Sequence, residues 1–421
     1  MIRAGFVAAV ALSVIPRATC WSAPEPATVV PRVPARNDGG AGRHDGMGND
    51  SPRPYKEAGR EPLDYRGPGR DVEAPDVEEI VLGWFGPGDP DHPEGGDFWR
   101  GASLALEEEN RAGGCRGKPF NLVPAWSDSP WAAGIVEVTR LVYERGAWAL
   151  LGATSGASAH LAEQVSLKAR LSLVSSGSTD ATANMGNVPW LFSCVPSDAR
   201  QAPVLVDALE AAGASRAFVV AAAADHDAHA ALVTLRRDLA ARRLTPRSVV
   251  EFDPTDLDVA GLVPRLLEAG PHAVVVVAPA ISAGRLVAGL RHSGFRGTVI
   301  GGATLARRTF LRAAGASAEG ALVPRLWEPS ERWDAFVGLY QDRWGEPPDY
   351  AAAWSYDSVR LVASAVRGAG LNRARIRDTL RALAPWRGVA GELRWDTLGR
   401  NERPVGLARW RAGRLEAVTG P

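Results

Sequence analysis

The run HAVVVVAPA at 272–280 constrains this chain more than any other segment. Its apolar residues are continuous rather than alternating, as in a strand covered on both faces of a parallel sheet. Neighbouring parallel strands need long crossovers, so helices should alternate with strands. IVLGWFG (80–86) reads as a strand. GDFWRGASLALEEENRAGG then sets Phe98, Ala102, Ala105 and Leu106 on one helical face, and Gly113 and Gly114 end it. NLVPAW (121–126) is a second strand, and a helix over 131–145 groups Ile135, Val138, Leu141 and Val142. A strand at 147–152, a helix at 157–170 and the strand opening LSLVSSGS (171–178) follow. The alternation restarts with AFVVAAA (217–223), a helix over 228–241, SVVEF (248–252), a helix ending near Gly270, the 272–280 run, a helix over 283–292 and TVIGG (298–302). Two consecutive arrays predict an α/β chain with two doubly wound lobes. Beyond Leu322 the pattern turns helical, with Trp333, Phe336, Val337 and Tyr340 on one helix. A second helix, 352–368, has Tyr356, Leu361, Ala365 and Val366 as its core face. GELRW and PVGLARW read as two antiparallel closing strands.

The first residues differ in kind. MIRAGFVAAVALSVIPRATC has one early Arg and a short apolar run, the pattern of a secretory signal over 1–20, with Cys20 a candidate lipid anchor. Residues 21–77 are rich in Pro, Gly, Arg and acidic residues without apolar periodicity, which predicts a disordered tether. The 48 Lys+Arg balance the 48 Asp+Glu, so no basic excess argues for nucleic acid. Three cysteines cannot supply a four-cysteine zinc site or a disulfide scaffold. Cys115 and Cys194 could pair in an exported chain, but read more simply as buried small hydrophobes.

The carboxyl ends of strands in such sheets are where ligands bind. Here they are rich in small hydroxyl residues: Thr154, Ser155, Gly156 and Ser158 after one strand, Ser175, Ser176, Gly177, Ser178 and Thr179 after the next. Hydroxyls, free backbone N–H groups and helix N-termini together suit a carboxylate. Trp84, Phe85 and the 97–99 segment, with Phe98 at its centre, could cover an apolar ligand tail.

Five segments in order resemble the type I periplasmic binding fold, in its leucine/isoleucine/valine-binding branch. They are FWRGASLALEEENRAGGCRGKPFNLVPAWSDSP, GATSGASAHLAEQVSLKARLSLVSSGST, FSCVPSD, AWSYDSVRLVASAVRGAG and RGVAGELRWDTLGR. The resemblance spans about residues 78–410. It implies one lobe of 78–196 with 324–388, another of 197–323 with 389–421, and crossings near 194–197, 322–324 and 387–391. It implies that Ser155, Ser178 and Thr179 hold the carboxylate and part of the amino group of an amino acid. The position where the family often has a tyrosine falls on His226, and that of its ammonium-gripping acid on Gly302, Ala303 and Thr304. Asp225 or Asp227 could substitute for the missing carboxylate, or the ligand is an amide, a carboxylic acid or something less cationic.

Other motifs carry less. Asp225, His226, Asp227 and His229 share one loop and read as a solvated helix cap, so no metal is assigned. GGCRGK lacks P-loop spacing. Glu107, Glu108 and Glu109 are successive on a helix and read as a solvated face. The expectation is an extracytoplasmic, non-enzymatic solute-binding protein without a cofactor. It would capture a small polar, amino-acid-like, amide or carboxylate ligand for an ABC permease. The alternative is a sensory module read by a membrane receptor, and a remote one is a hydrolase using Ser155 or Ser178.

Overall fold

The computed structural model describes residues 64–127, 130–213 and 216–418. The signal segment with Cys20, and most of the tether, lie outside the described residues. Among them, no helix is long and apolar enough to cross a membrane.

The first array folds as a five-stranded parallel sheet. Its strands are β1 (Ile80–Phe85), β2 (Phe120–Ala125), β3 (Leu150–Gly152), β4 (Leu173–Ser175) and β5 (Leu191–Ser193), in the order β2-β1-β3-β4-β5. Helix α1 (Gly96–Arg111) follows β1, and α3 (Gly156–Ala169) follows β3. Between β2 and β3, the helical stretch 130–144 is a short α-segment, α2 (Ile135–Thr139), flanked by π-helical turns. Those wider turns shift the helical phase. Val138, Leu141 and Val142 stay buried, while Ile135, expected beside them, is exposed.

The second array builds a seven-stranded sheet. Strands β6 (Ala217–Ala221), β7 (Ser248–Glu251), β8 (Ala273–Val277), β9 (Thr298–Gly301) and β10 (Leu322–Arg325) are parallel. The order is β14-β13-β10-β9-β8-β6-β7, with β13 (Gly406–Arg411) and β14 (Arg414–Val418) antiparallel at one edge. The 272–280 run lies at the sheet centre, with Val275 opposite both Val219 and Ile300. Helices α4 (Asp198–Ala211), α5 (His226–Ala241), α6 (Val259–Glu268), α7 (Ala280–His292) and α8 (Arg308–Ala314) connect the second array.

Helices α9 (Glu331–Trp344), α10 (Tyr350–Ala369) and α11 (Arg373–Ala382) return to the first lobe. There α10 lies so close to α1 that a Cβ on Gly101 would stand 2.0 Å from the Ala352 carbonyl oxygen. Across this contact the expected solvated face is instead paired. Glu109 is buried and meets Arg360 at 3.1 Å and Arg367 at 2.5 Å, Glu108 accepts from the Tyr356 hydroxyl, and Glu107 meets Arg343 at 3.2 Å. Three successive helical positions point to four different partners, which spacing alone does not reveal.

Two crossings sit later than expected. Residues 322–325 are β10 of the second sheet, so the chain leaves only after Arg325. Residues 395–401 remain beside β5: Ser193 N–H donates to Gly399 O at 2.9 Å, and Asn401 N–H to Ser193 O at 3.0 Å. These bonds satisfy the open edge of β5, and the return to the second sheet begins only after them. GELRW also pairs differently: β12 (Glu392–Leu393) binds β11 (Trp386–Arg387), while PVGLARW supplies β13. The last stretch of the expected tether is docked. Tyr65 packs on Trp190 at 4.7 Å, and the Asn372 amide donates to the carbonyls of Gly69, Arg70 and Val72. Cys115 and Cys194 are both buried and free.

Candidate functional site

Each sheet changes direction once, between β1 and β3 in the first and between β6 and β8 in the second. The carboxyl ends at these switch points face each other across a cavity of about 370 Å³. Pro87, Thr154, Ser155, Gly177 and Thr179 line it from the first lobe, and Asp225, His226, Asp227, Val277 to Ala280 and Gly302 to Thr304 from the second.

Of the residues singled out from sequence, Ser155, Gly177, Thr179, Phe98, His226 and Ala303 line this cavity. Ser155 caps α3: its hydroxyl accepts from Ser158 N–H at 3.1 Å, and Ser155 N–H donates to the Ser158 hydroxyl at 3.0 Å. Three other candidates turn away. Ser176 is buried against α10, its hydroxyl 2.9 Å from that of Ser358. Ser178 is buried, and its hydroxyl accepts from Asp180 N–H at 3.3 Å. Trp84 is fully buried, donates to Pro87 O at 3.1 Å and meets Trp99 edge-on. Alternate residues of a tight loop face opposite sides, so a hydroxyl-rich loop offers only some of its hydroxyls to a cleft.

Gly156 touches the opposite lobe directly. Its N–H donates to Asp227 Oδ1 at 2.7 Å, and a Cβ there would lie 2.7 Å from both that oxygen and Asp180 Oδ2. Only glycine allows this approach. Burial and the nearby Asp225 push the Asp227 carboxyl up to about 6, against the opposing Gly156 N–H. Asp225 caps α5 by accepting from Ala228 N–H at 2.9 Å. His229 is exposed. Asp225 and Asp227 of this loop therefore have separate tasks, one capping its own helix and the other reaching the opposite lobe.

Two further carboxylates line the cavity that the sequence reading did not single out. Asp198 begins α4, and burial drives its carboxyl well above the ordinary range against a hydrogen bond from Thr179. Glu94 is raised by burial, opposed by Arg307, and accepts from Ile281 N–H at 3.3 Å. An acidic residue at the start of a helix was the available signal for Asp198, but it is shared with ordinary helix caps.

Arg307 was also missed. It follows β9 in the second lobe and is buried against the first. Its Nε donates to Asp349 Oδ2 at 3.0 Å, and its Nη2 to Glu94 O at 2.9 Å. Asp97 Oδ2 lies 3.5 Å from Nη2, and the guanidinium stands 4.4 Å from the Phe98 ring centre. Burial alone would lower its pKa, but Asp349 and Asp97 raise it above the ordinary value, so the cation is firmly held. Nothing in the local sequence RRTF announces this role.

The profile of the periplasmic binding proteins matches residues 86–414. The chain belongs to that family. An "amino acid binding protein" of Pseudomonas aeruginosa is 26% identical over 334 residues, 77% of this chain and 87% of that protein. The branched-chain amino acid transporter substrate-binding protein LivJ of Streptococcus pneumoniae, in complex with isoleucine, superposes with a TM-score of 0.74. The identity is 24%, over 80% of this chain and 98% of LivJ. A solute-binding protein of an ABC transporter from Rhodopseudomonas palustris, in complex with benzoate, reaches 0.72 at 16% identity, over 81% of this chain and 95% of that one. The fold is that of the two-lobed type I periplasmic binding proteins, and the family places the chain among extracytoplasmic solute-binding components of ABC importers.

Proposed function

We propose that this protein captures a small amine-bearing, amino-acid-like solute between its lobes and delivers it to an ABC permease. One observation carries the reading. Four carboxylates, of Glu94, Asp198, Asp225 and Asp227, face a cavity in which Arg307 is the one guanidinium or ammonium among the described lining residues. That guanidinium is already paired with Asp349 and Asp97. A solute that brings its own cation stabilises the charged forms of Glu94, Asp198 and Asp227, which burial alone disfavours, whereas a bare carboxylate disfavours them further.

Asp225 or Asp227, with Asp198 beside them in the lining, would grip the ammonium in place of the family's usual acid. Ser155 and Thr179 offer hydroxyls to the solute's polar end, and Phe98, Trp126, Val277 and Pro279 offer an apolar wall to its side chain. The volume suits a small metabolite. Of the bound solutes isoleucine and benzoate in the neighbours named above, isoleucine carries an ammonium and benzoate does not, and this cavity favours the former. Cys20 would serve as a lipid tether if the signal is processed there.

A thermal-shift panel of amino acids, amino acid amides, aliphatic amines and amine-free carboxylates tests the assignment. A solute at about 100 times its dissociation constant stabilises by about 2.7 kcal/mol, which moves the midpoint by a few degrees. Amine-bearing solutes should produce the shift, and Asp225→Asn should abolish it. Stabilisation by amine-free carboxylates alone would contradict the assignment.

A further inference from the structure

At the rim of the cleft, three side chains from both lobes converge on one point. His160 lies on α3 and Asp180 follows β4, both in the first lobe; His226 opens α5 in the second. The Asp180 side chain is 1% exposed and has its two oxygens divided. Oδ1 accepts from the Thr182 N–H and hydroxyl, each at 2.7 Å. Oδ2 is left to face His160 Nε2 at 3.1 Å and His226 Nε2 at 3.2 Å. The three ligand atoms all lie within 4.8 Å of one another.

Ligands around tetrahedral zinc, at about 2.0–2.1 Å from the metal, stand about 3.3 Å apart. Both separations measured to Oδ2 are close to that edge. Two imidazoles with one carboxylate suit zinc and its transition-metal neighbours rather than magnesium or calcium. On the His160 ring the nitrogen away from the cluster, Nδ1, has Glu163 Oε2 at 3.9 Å, the side from which an acid steadies a ligating imidazole, while the Thr182 hydroxyl, 3.0 Å from Nε2, would give way to the ion. The His160 and His226 side chains are 26% and 41% exposed, so an ion can reach the cluster from solvent and keep a water as its fourth ligand.

We infer that His160, Asp180 and His226 form a zinc-type divalent metal site that clasps the two lobes together. Because its ligands come from both sides of the cleft, the ion binds the closed form better than the open one. Metal and captured solute therefore favour the same state, and each should tighten the other by the same factor. The clasp does not depend on which solute the cavity holds.

The test is a titration of the chelator-treated, purified chain with Co²⁺ and then Zn²⁺, without solute, at neutral pH. The expected result is one equivalent of Co²⁺ with the visible bands of a four-coordinate site, displaced by Zn²⁺. His160→Ala and His226→Ala should each weaken binding more than tenfold, Glu163→Gln by about tenfold, and His229→Ala not at all. Both ligand histidines are partly exposed, and circular dichroism of each variant establishes that it is folded. Small-angle scattering should show Zn²⁺ contracting the wild-type chain and leaving His226→Ala unchanged. Absent stoichiometric binding, or binding that survives both histidine substitutions, would overturn the site. In that case Asp180 simply accepts hydrogen bonds from two imidazoles. Binding without contraction would overturn the clasp.

Discussion

Arg307 carries a full positive charge into a space from which water is excluded, between carboxylates that are themselves buried. Removing one partner of such a group leaves the others charged and unpaired, which costs far more than the pair contributes. Arg307→Met keeps much of the side chain's bulk and removes only the charge. It is expected to destabilise the protein by about 3–5 kcal/mol in urea unfolding. A loss below about 1 kcal/mol would mean that Asp97 and Asp349 are satisfied without it. The site was only partly legible at this level. Ser155 and Thr179 could be singled out because helix starts and strand ends mark where a cleft forms, and His226 only through the family resemblance. Arg307 and Glu94 could not, because their partners lie more than 40 residues away and no local pattern connects them. Ser176 and Ser178 were read as cleft residues because composition shows that a loop is polar, not which side of it faces the ligand.

Helix α10 is tied to the turn between β11 and β12 through one carboxylate. Asp357 is buried and accepts from Val389 N–H and Ala390 N–H, each at 2.9 Å. Burial pushes its pKa up to about 7, although both N–H groups oppose the rise. The folded state thus holds this proton more tightly than the unfolded chain, where a carboxyl titrates near 3.9. The stability it contributes is complete below about pH 4 and is lost as pH rises towards 7. Asp357→Asn cannot titrate, so the wild type's stability relative to the variant should fall between pH 4.5 and 7.5, measured by thermal melting in matched buffers. A difference independent of pH would show that Asp357 is ionised throughout. Most elements were legible because their periodicities are strong: the valine run of β8 and the apolar faces of α1, α5 and α10 left few alternatives. The failures came where backbone geometry departs from the standard period, as in the π-helical turns around α2. They came also where partners are distant, as when Asn372 pins residues 69–72 and Ser193 holds residues 399–401.

The two sheets, both right for a doubly wound fold, bring their switch points to a common cleft, and three of the contacts across it among the described residues are hydrogen bonds or ion pairs. Gly156 meets Asp227, Asp180 meets His226, and Arg307 meets Asp97 and Asp349. Polar contacts of this kind can exchange with water when the lobes part, whereas an apolar seam would resist opening. The proposed capture requires the lobes to open and close, and a solute that touches both lobes then biases them towards the closed form. Small-angle scattering on the purified chain, with and without the best-stabilising amine-bearing solute, tests this most directly. The account predicts a smaller radius of gyration with solute, and no change in Asp225→Asn. A solute that binds while leaving the radius unchanged, or contracts the variant equally, would contradict capture in this cleft.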